Sequence, residues 1–120
     1  MLRLFSTLVV LLISSNAFAA PLTEQQKIDT LLKAFDTPGI TFVRNGAEHD
    51  GAWAKKHLTD KLKSAKTKVT TADAFITDIA STSSHSGKPY LVKTKDGKTV
   101  ESAVWLRAKL EEINKNAEAN

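Results

Sequence analysis

Glycine and proline cut this chain into short pieces, and that punctuation constrains its fold more than any other feature. Thr37-Pro38-Gly39, Asn45-Gly46, Gly87-Lys88-Pro89 and Asp96-Gly97 each close a run of regular hydrophobic spacing. Thr23 opens the first run, with Gln26 three residues later at the capping-box spacing. Ile28, Leu31, Leu32 and Phe35 then fall on one helical face. Residues 40–44 are rich in β-branched and aromatic types and read as a short strand, ended by Asn45-Gly46. A second helix begins between Ala47 and Gly51 and runs to about Ala65, with Ala54, Leu58, Leu62 and Ala65 as its stripe. Asp50 is its candidate N-cap, and Gly51 weakens its first turn. Thr70 is the expected cap of a third helix, whose buried face is Phe75, Ile76, Ile79 and Ala80. The serine-rich run 81–86 and Gly87 end it, and Pro89 forbids continuation. Residues 90–94 form a second strand, Asp96-Gly97 a hairpin turn, and Thr99-Val100 the return. Ser102 caps a last helix carrying Leu106, Leu110 and Ile113, and the polar residues 114–120 fray. The expectation is an α+β fold, about four helices packed on a small antiparallel hairpin or three-stranded sheet. A hairpin is marginal alone and must pack on the helices.

The beginning of the chain carries an address. Met1-Leu2-Arg3 is a short basic start, residues 4–13 are largely apolar, and Ala17-Phe18-Ala19 fits signal-peptidase cleavage before Ala20. The apolar run is shorter than the roughly 20 residues of a membrane span, so no stable span is expected after cleavage. Residues 1–19 are thus expected to be a signal peptide, 20–113 a single globular domain and 114–120 a polar tail. The chain contains no cysteine, so neither a lipoprotein anchor nor a disulfide is open to it. In an oxidising compartment its stability rests on ordinary packing. Losing Arg3 with the leader lowers the formal charge from +4 to +3, too little to argue for nucleic acid.

Catalytic signatures are mostly absent. There is no H-E-x-x-H, no G-x-S-x-G and no cysteine nucleophile, and Gly87-Lys88 lacks the rest of a phosphate-binding loop. No metal and no cofactor are expected. His49 and His57, eight residues apart, would sit roughly 12 Å apart along a helix and cannot chelate one ion.

Four features bear a functional reading beside a structural one. Arg44-Asn45-Gly46 is either a strand-to-helix corner or an anion site, with Arg44 a fork-shaped donor near a helix N-terminus. Beyond the leader, arginine occurs only there and at Arg107, against fourteen lysines, which suggests a planar donor is needed. His57 is either a half-buried, hydrogen-bonded side chain or an acid/base group. The stretch from Ser81 to Tyr90, with Ser83, Ser84 and Ser86, is either a helix end whose hydroxyls satisfy carbonyls or a polar binding loop with Lys88 and Tyr90 at its rim. Lys55, Lys56, Lys61, Lys63, Lys66 and Lys68, offset only by Asp60, are either a solvated helix face or an attraction for anionic envelope polymers. Trp53 is placed to stack on a ring or a sugar, and Trp105 in the core.

Phe42-Val43-Arg44-Asn45-Gly46, then His57-Leu58, then Ser83-Ser84-x-Ser86-Gly87-Lys88-Pro89-Tyr90-x-Val92 resembles the YfeK-like family. These are short exported bacterial proteins assigned only as a domain of unknown function. The likeness spans residues 23–110 and implies a periplasmic, Gram-negative protein, with no activity attached. Small size, export and the missing catalytic motifs lead to the expectation of a periplasmic, non-enzymatic binding or accessory module for an envelope protein or cell-wall component, an inhibitor or immunity-type role included. The alternatives are a small cell-wall hydrolase or transferase using His57 with Ser84 or Ser86, and an electrostatic binder of anionic polymers. The oligomeric state is left open.

Overall fold

The computed structural model describes residues 21–119. The leader expected over residues 1–19 lies outside the described residues. Helix α1 (Glu24–Lys33) starts as its capping box dictates: Thr23 Oγ1 accepts from the Gln26 N–H, and Gln26 Oε1 accepts from the Thr23 N–H. It buries Ile28, Leu31 and Leu32, and a 3-10 turn (Ala34–Asp36) adds Phe35. Strand β1 (Thr41–Arg44) leads into β2 (Ala47–Asp50), and helix α2 (Gly51–Ala65) follows directly. Helix α3 (Ala72–Ala74) widens at once into a π-helical turn (Phe75–Ile79), where the Ala80 N–H reaches back to the Phe75 carbonyl. Strands β3 (Leu91–Lys93) and β4 (Thr99–Glu101) form the second hairpin, and α4 (Ser102–Ala119) ends the described chain.

The fold is α+β. Its sheet has four antiparallel strands in the order β2-β1-β3-β4, one more than expected. The added strand is β2. Asn45 and Gly46 both take positive φ, 52° and 81°, as a two-residue hairpin turn requires. Asn45-Gly46 ends β1 as expected, but the segment Arg44-Asn45-Gly46 is a hairpin tip that turns into a second strand, not a strand-to-helix corner. β2 escapes detection because it is an exposed edge strand with no apolar alternation.

Three helix boundaries also differ from expectation. Thr71, rather than Thr70, caps α3 by accepting from the Ala74 N–H, because Ala72 must face the core. Ser102 makes no capping bond: its Oγ is buried without a partner, and its N–H donates to the Tyr90 carbonyl. α4 continues through residues 114–119 instead of fraying, with Lys115 and Glu111 paired at i,i+4 and Ile113 packed against the core.

One face of the sheet carries the core. Register pairs Phe42 with Val92 and with His49, and Val92 with Val100, so these side chains share the helix-covered side. Phe42 meets Phe35 edge-on at 5.8 Å and Tyr90 at 4.9 Å. Trp105 is only half-buried, tilted against Phe35 at 5.1 Å. Gly51 sits where α2 passes hard against the 3-10 turn: a Cβ there would lie 1.8 Å from the Phe35 carbonyl oxygen. The glycine that weakens the helix as sequence is what lets α2 dock.

Candidate functional site

Alternation along β1 places Arg44 on the same side as Phe42, facing the helices. Tyr90, two residues before Val92, shares that side and is fully buried. It is not at a loop rim, as the sequence suggested; its ring packs on Phe42 and only its hydroxyl reaches outward. From α2, positions 53, 57 and 61 project along one stripe at i, i+4 and i+8.

These rings form a ladder. The His49 imidazole stacks on Trp53 at 3.5 Å and 9°, and His57 stacks on Trp53 at 4.7 Å and 11°. Both indole faces are therefore covered, which removes Trp53 as a stacking platform for a ligand. His49 belongs to β2, not to a helix shared with His57, and an indole separates the two imidazoles. Among the described residues no group of three or more His, Asp or Glu is placed to hold a metal.

The far end of the ladder is polar. His57 Nε2 lies 3.2 Å from the Tyr90 hydroxyl. Lys61 Nζ donates to that hydroxyl at 3.1 Å and to the Thr82 carbonyl at 3.1 Å. An ammonium has three N–H donors, so one remains for a ligand. Burial, then the charges of Arg44, Lys61 and His49, hold the His57 imidazole below its ordinary pKa, against a weaker opposing pull from Asp60. His57 is thus neutral at neutral pH, and its Nε2 shares a hydrogen bond with the Tyr90 hydroxyl.

The 83–90 loop closes the other side. Asn45 joins it to the hairpin tip: its Nδ2 donates to Ser83 Oγ at 3.2 Å, and its Oδ1 accepts from Ser86 Oγ. Ser83 is buried, and its Oγ also accepts the His85 N–H. The loop's own turn is held by Ser83 N–H to the Lys88 carbonyl and Gly87 N–H to the Ser83 carbonyl. Lys88 enters through its backbone, its N–H donating to Ser86 Oγ. Asn45, Ser83 and Ser86 are accordingly braces, as is the turn at Gly46.

Between tip, α2 and loop lies a concavity of about 330 Å³, lined by Arg44, His57, Lys61, Ser84, His85 and Tyr90. No carboxylate lines it. Among the described residues neither Arg44 nor Lys61 has an ion-pair partner within 4.0 Å. The Arg44 Nε is buried and donates to nothing. Arg44 lies against the middle of α2, beside His57 and Lys61, rather than near a helix N-terminus as the sequence suggested. The hydrolase or transferase alternative needs His57 bonded to Ser84 or Ser86; His57 Nε2 is instead engaged by Tyr90 and Ser86 by Asn45, and no hydrogen bond joins His57 to either serine. The lysine run is divided too. Lys55 pairs with Asp36 at 2.8 Å, Lys56 with Asp60 at 2.8 Å, and Lys61 turns inward.

Residues 22–114 match the model of a family of unknown function, DUF5329. The chain belongs to DUF5329. It is also similar to an uncharacterized protein, YfeK, of Salmonella typhimurium strain LT2, with 38% identity over 92 residues, covering 75% of this chain and 77% of that protein. No solved structure matches. The DUF5329 match takes in both hairpins, and so every residue of the concavity. Lys61 and His85 are the site residues that sequence reasoning missed as such. Lys61 was legible in principle from its spacing of four from His57, whereas His85 has no signal beyond its place in the loop.

Proposed function

We propose that this protein is a periplasmic, non-enzymatic binding module for an envelope protein or cell-wall component, and that it docks through the face built by the Arg44 hairpin tip and the 83–90 loop. The observation that carries this reading is the Asn45 side chain. By bonding to both Ser83 and Ser86 it makes one preformed surface out of two distant segments, beside an arginine whose charge is unopposed. A preorganised donor loses less on binding than one that must be ordered.

The test is crosslinking of the protein in the envelope fraction of its host, read by mass spectrometry, with Arg44→Ala as the comparison. The reading expects one partner captured by the wild-type chain and lost by the variant, whose circular dichroism stays native. Capture that is indifferent to Arg44 removes this face from the interface.

A further inference from the structure

Resting on that reading of the face, we infer that the concavity between Arg44, His57, Lys61 and the 83–85 turn is a receptor for a phosphate monoester. Four features of the site select that chemistry over other ligands. The fixed charges are two cations, the Arg44 guanidinium and the Lys61 ammonium, with no carboxylate in the lining, which matches a dianion better than a single carboxylate. The free donors converge from separate elements: Arg44 from β1, Lys61 from α2, and Ser84 and His85 from the loop. Donors spread in this way suit the tetrahedral oxygens of a phosphoryl group, whereas a carboxylate presents two oxygens in one plane. The space of about 330 Å³ holds a phosphate with part of the group that carries it.

The other property is readiness. The Arg44 Nε is buried without a protein acceptor, and no carboxylate of the lining neutralises the guanidinium. Lys61 is held in place by Tyr90 and Thr82 with one N–H to spare. Asn45, Ser83 and Ser86 fix the loop that brings Ser84 and His85 to the rim. Lys55 and Lys56, outside the concavity, do not share these properties, since both are ion-paired at the surface.

The experiment is an NMR titration of the purified chain, following the amides of Arg44, His57, Lys61, Ser84 and His85. Inorganic phosphate is the first probe, and acetate at matched ionic strength is its control. Vesicles of phosphatidic acid in phosphatidylcholine are the second probe, against phosphatidylcholine alone. Saturable shifts at these amides with phosphate or phosphatidic acid, and not with acetate or phosphatidylcholine, are expected. Response to phosphate alone identifies a soluble ester, response to vesicles alone a lipid headgroup, and response to both a site that reads the phosphoryl group whatever carries it. Arg44→Ala is expected to weaken binding by about tenfold or more, with Arg44→Lys recovering only part, since it restores charge but not the fork. No saturable shift with either probe, or equal shifts with acetate, overturns the inference using the wild-type chain alone. An Arg44-dependent protein partner in the absence of phosphoryl binding overturns it while leaving the docking face intact. Phosphoryl binding without an Arg44-dependent partner does the reverse.

Discussion

Replacing Gly51 by alanine sets two physical rules against each other. Helix propensity favours alanine over glycine by about 1 kcal/mol, so sequence reasoning expects Gly51→Ala to stabilise α2. The packing says otherwise. The added Cβ would stand 1.8 Å from the Phe35 carbonyl oxygen and 3.0 Å from the Phe35 carbonyl carbon. Ordinary contact begins at 3.4 Å, so helix and turn must part by about 1.6 Å. The obstacle is backbone, which cannot swing aside as a flexible side chain can. Phe35 is itself pinned, 1% exposed and packed on both Phe42 and Trp105. Overpacking of this kind costs about 1–3 kcal/mol, and a rigid obstacle puts it at the upper end. Subtracting the propensity gain leaves a net loss of about 2 kcal/mol. For a domain of this size that lowers the melting temperature by roughly 8–16 °C. Thermal unfolding followed by circular dichroism measures it. A melting temperature equal to or above wild type would refute the claim that close approach, rather than chance, keeps glycine at this position.

Three further substitutions test local features. Ser102→Ala removes a buried hydroxyl that has no partner, and it should leave urea stability unchanged or raise it by up to about 1 kcal/mol; a clear loss would mean the hydroxyl is bonded after all. Thr23→Ala removes the Oγ1 arm of the capping box, leaving the backbone N–H of residue 23 to Gln26, and should cost about 1 kcal/mol in the same urea assay, with no change refuting the cap's contribution. His57→Gln tests pH dependence. The folded chain holds His57 below its ordinary pKa, so as pH falls through the unfolded value of about 6.5 the unfolded chain takes up the proton first. Stability that is present above that pH is therefore lost from about 6.5 downward, until the pH has passed the folded pKa. The His57→Gln chain should lose less stability than wild type between pH 7 and pH 5. Identical slopes would show that His57 is not strained by burial and its cationic neighbours.

The parts of the fold that follow from local spacing are legible in the sequence. The apolar faces of α1 and α4 and the Asp96-Gly97 hairpin need only periodicity and turn chemistry. β2 is hidden because Ala47-Glu48-His49-Asp50 shows no alternation; its partner is β1 on one side and solvent on the other. Reading Asn45-Gly46 as a helix entry conceals the strand and, with it, the stack of His49 on Trp53. Ser102 resembles a cap by residue type, but only tertiary burial reveals that its hydroxyl bonds to nothing. The site divides in the same way. Arg44, His57 and the serine loop stand out by composition. That Asn45 ties tip to loop, that Tyr90 lies beneath His57, and that one lysine of six turns inward are consequences of the β1–β3 pairing, which no local pattern encodes.

That pairing has a consequence for assembly. β1 and β3 are the two central strands, yet they lie nearly half the chain apart, each the inner member of its own hairpin. Arg44, His57 and Lys61 arrive with the first hairpin and the helix after it, while Ser84, His85 and Tyr90 arrive with the second. Neither half owns a cavity. The concavity comes into being only when the seam between the halves closes, after the intervening segment with α2 and α3 has been gathered in. Occupancy of this pocket would therefore report a finished molecule, and a chain clipped or stalled before the seam zips would present its cations without a cradle.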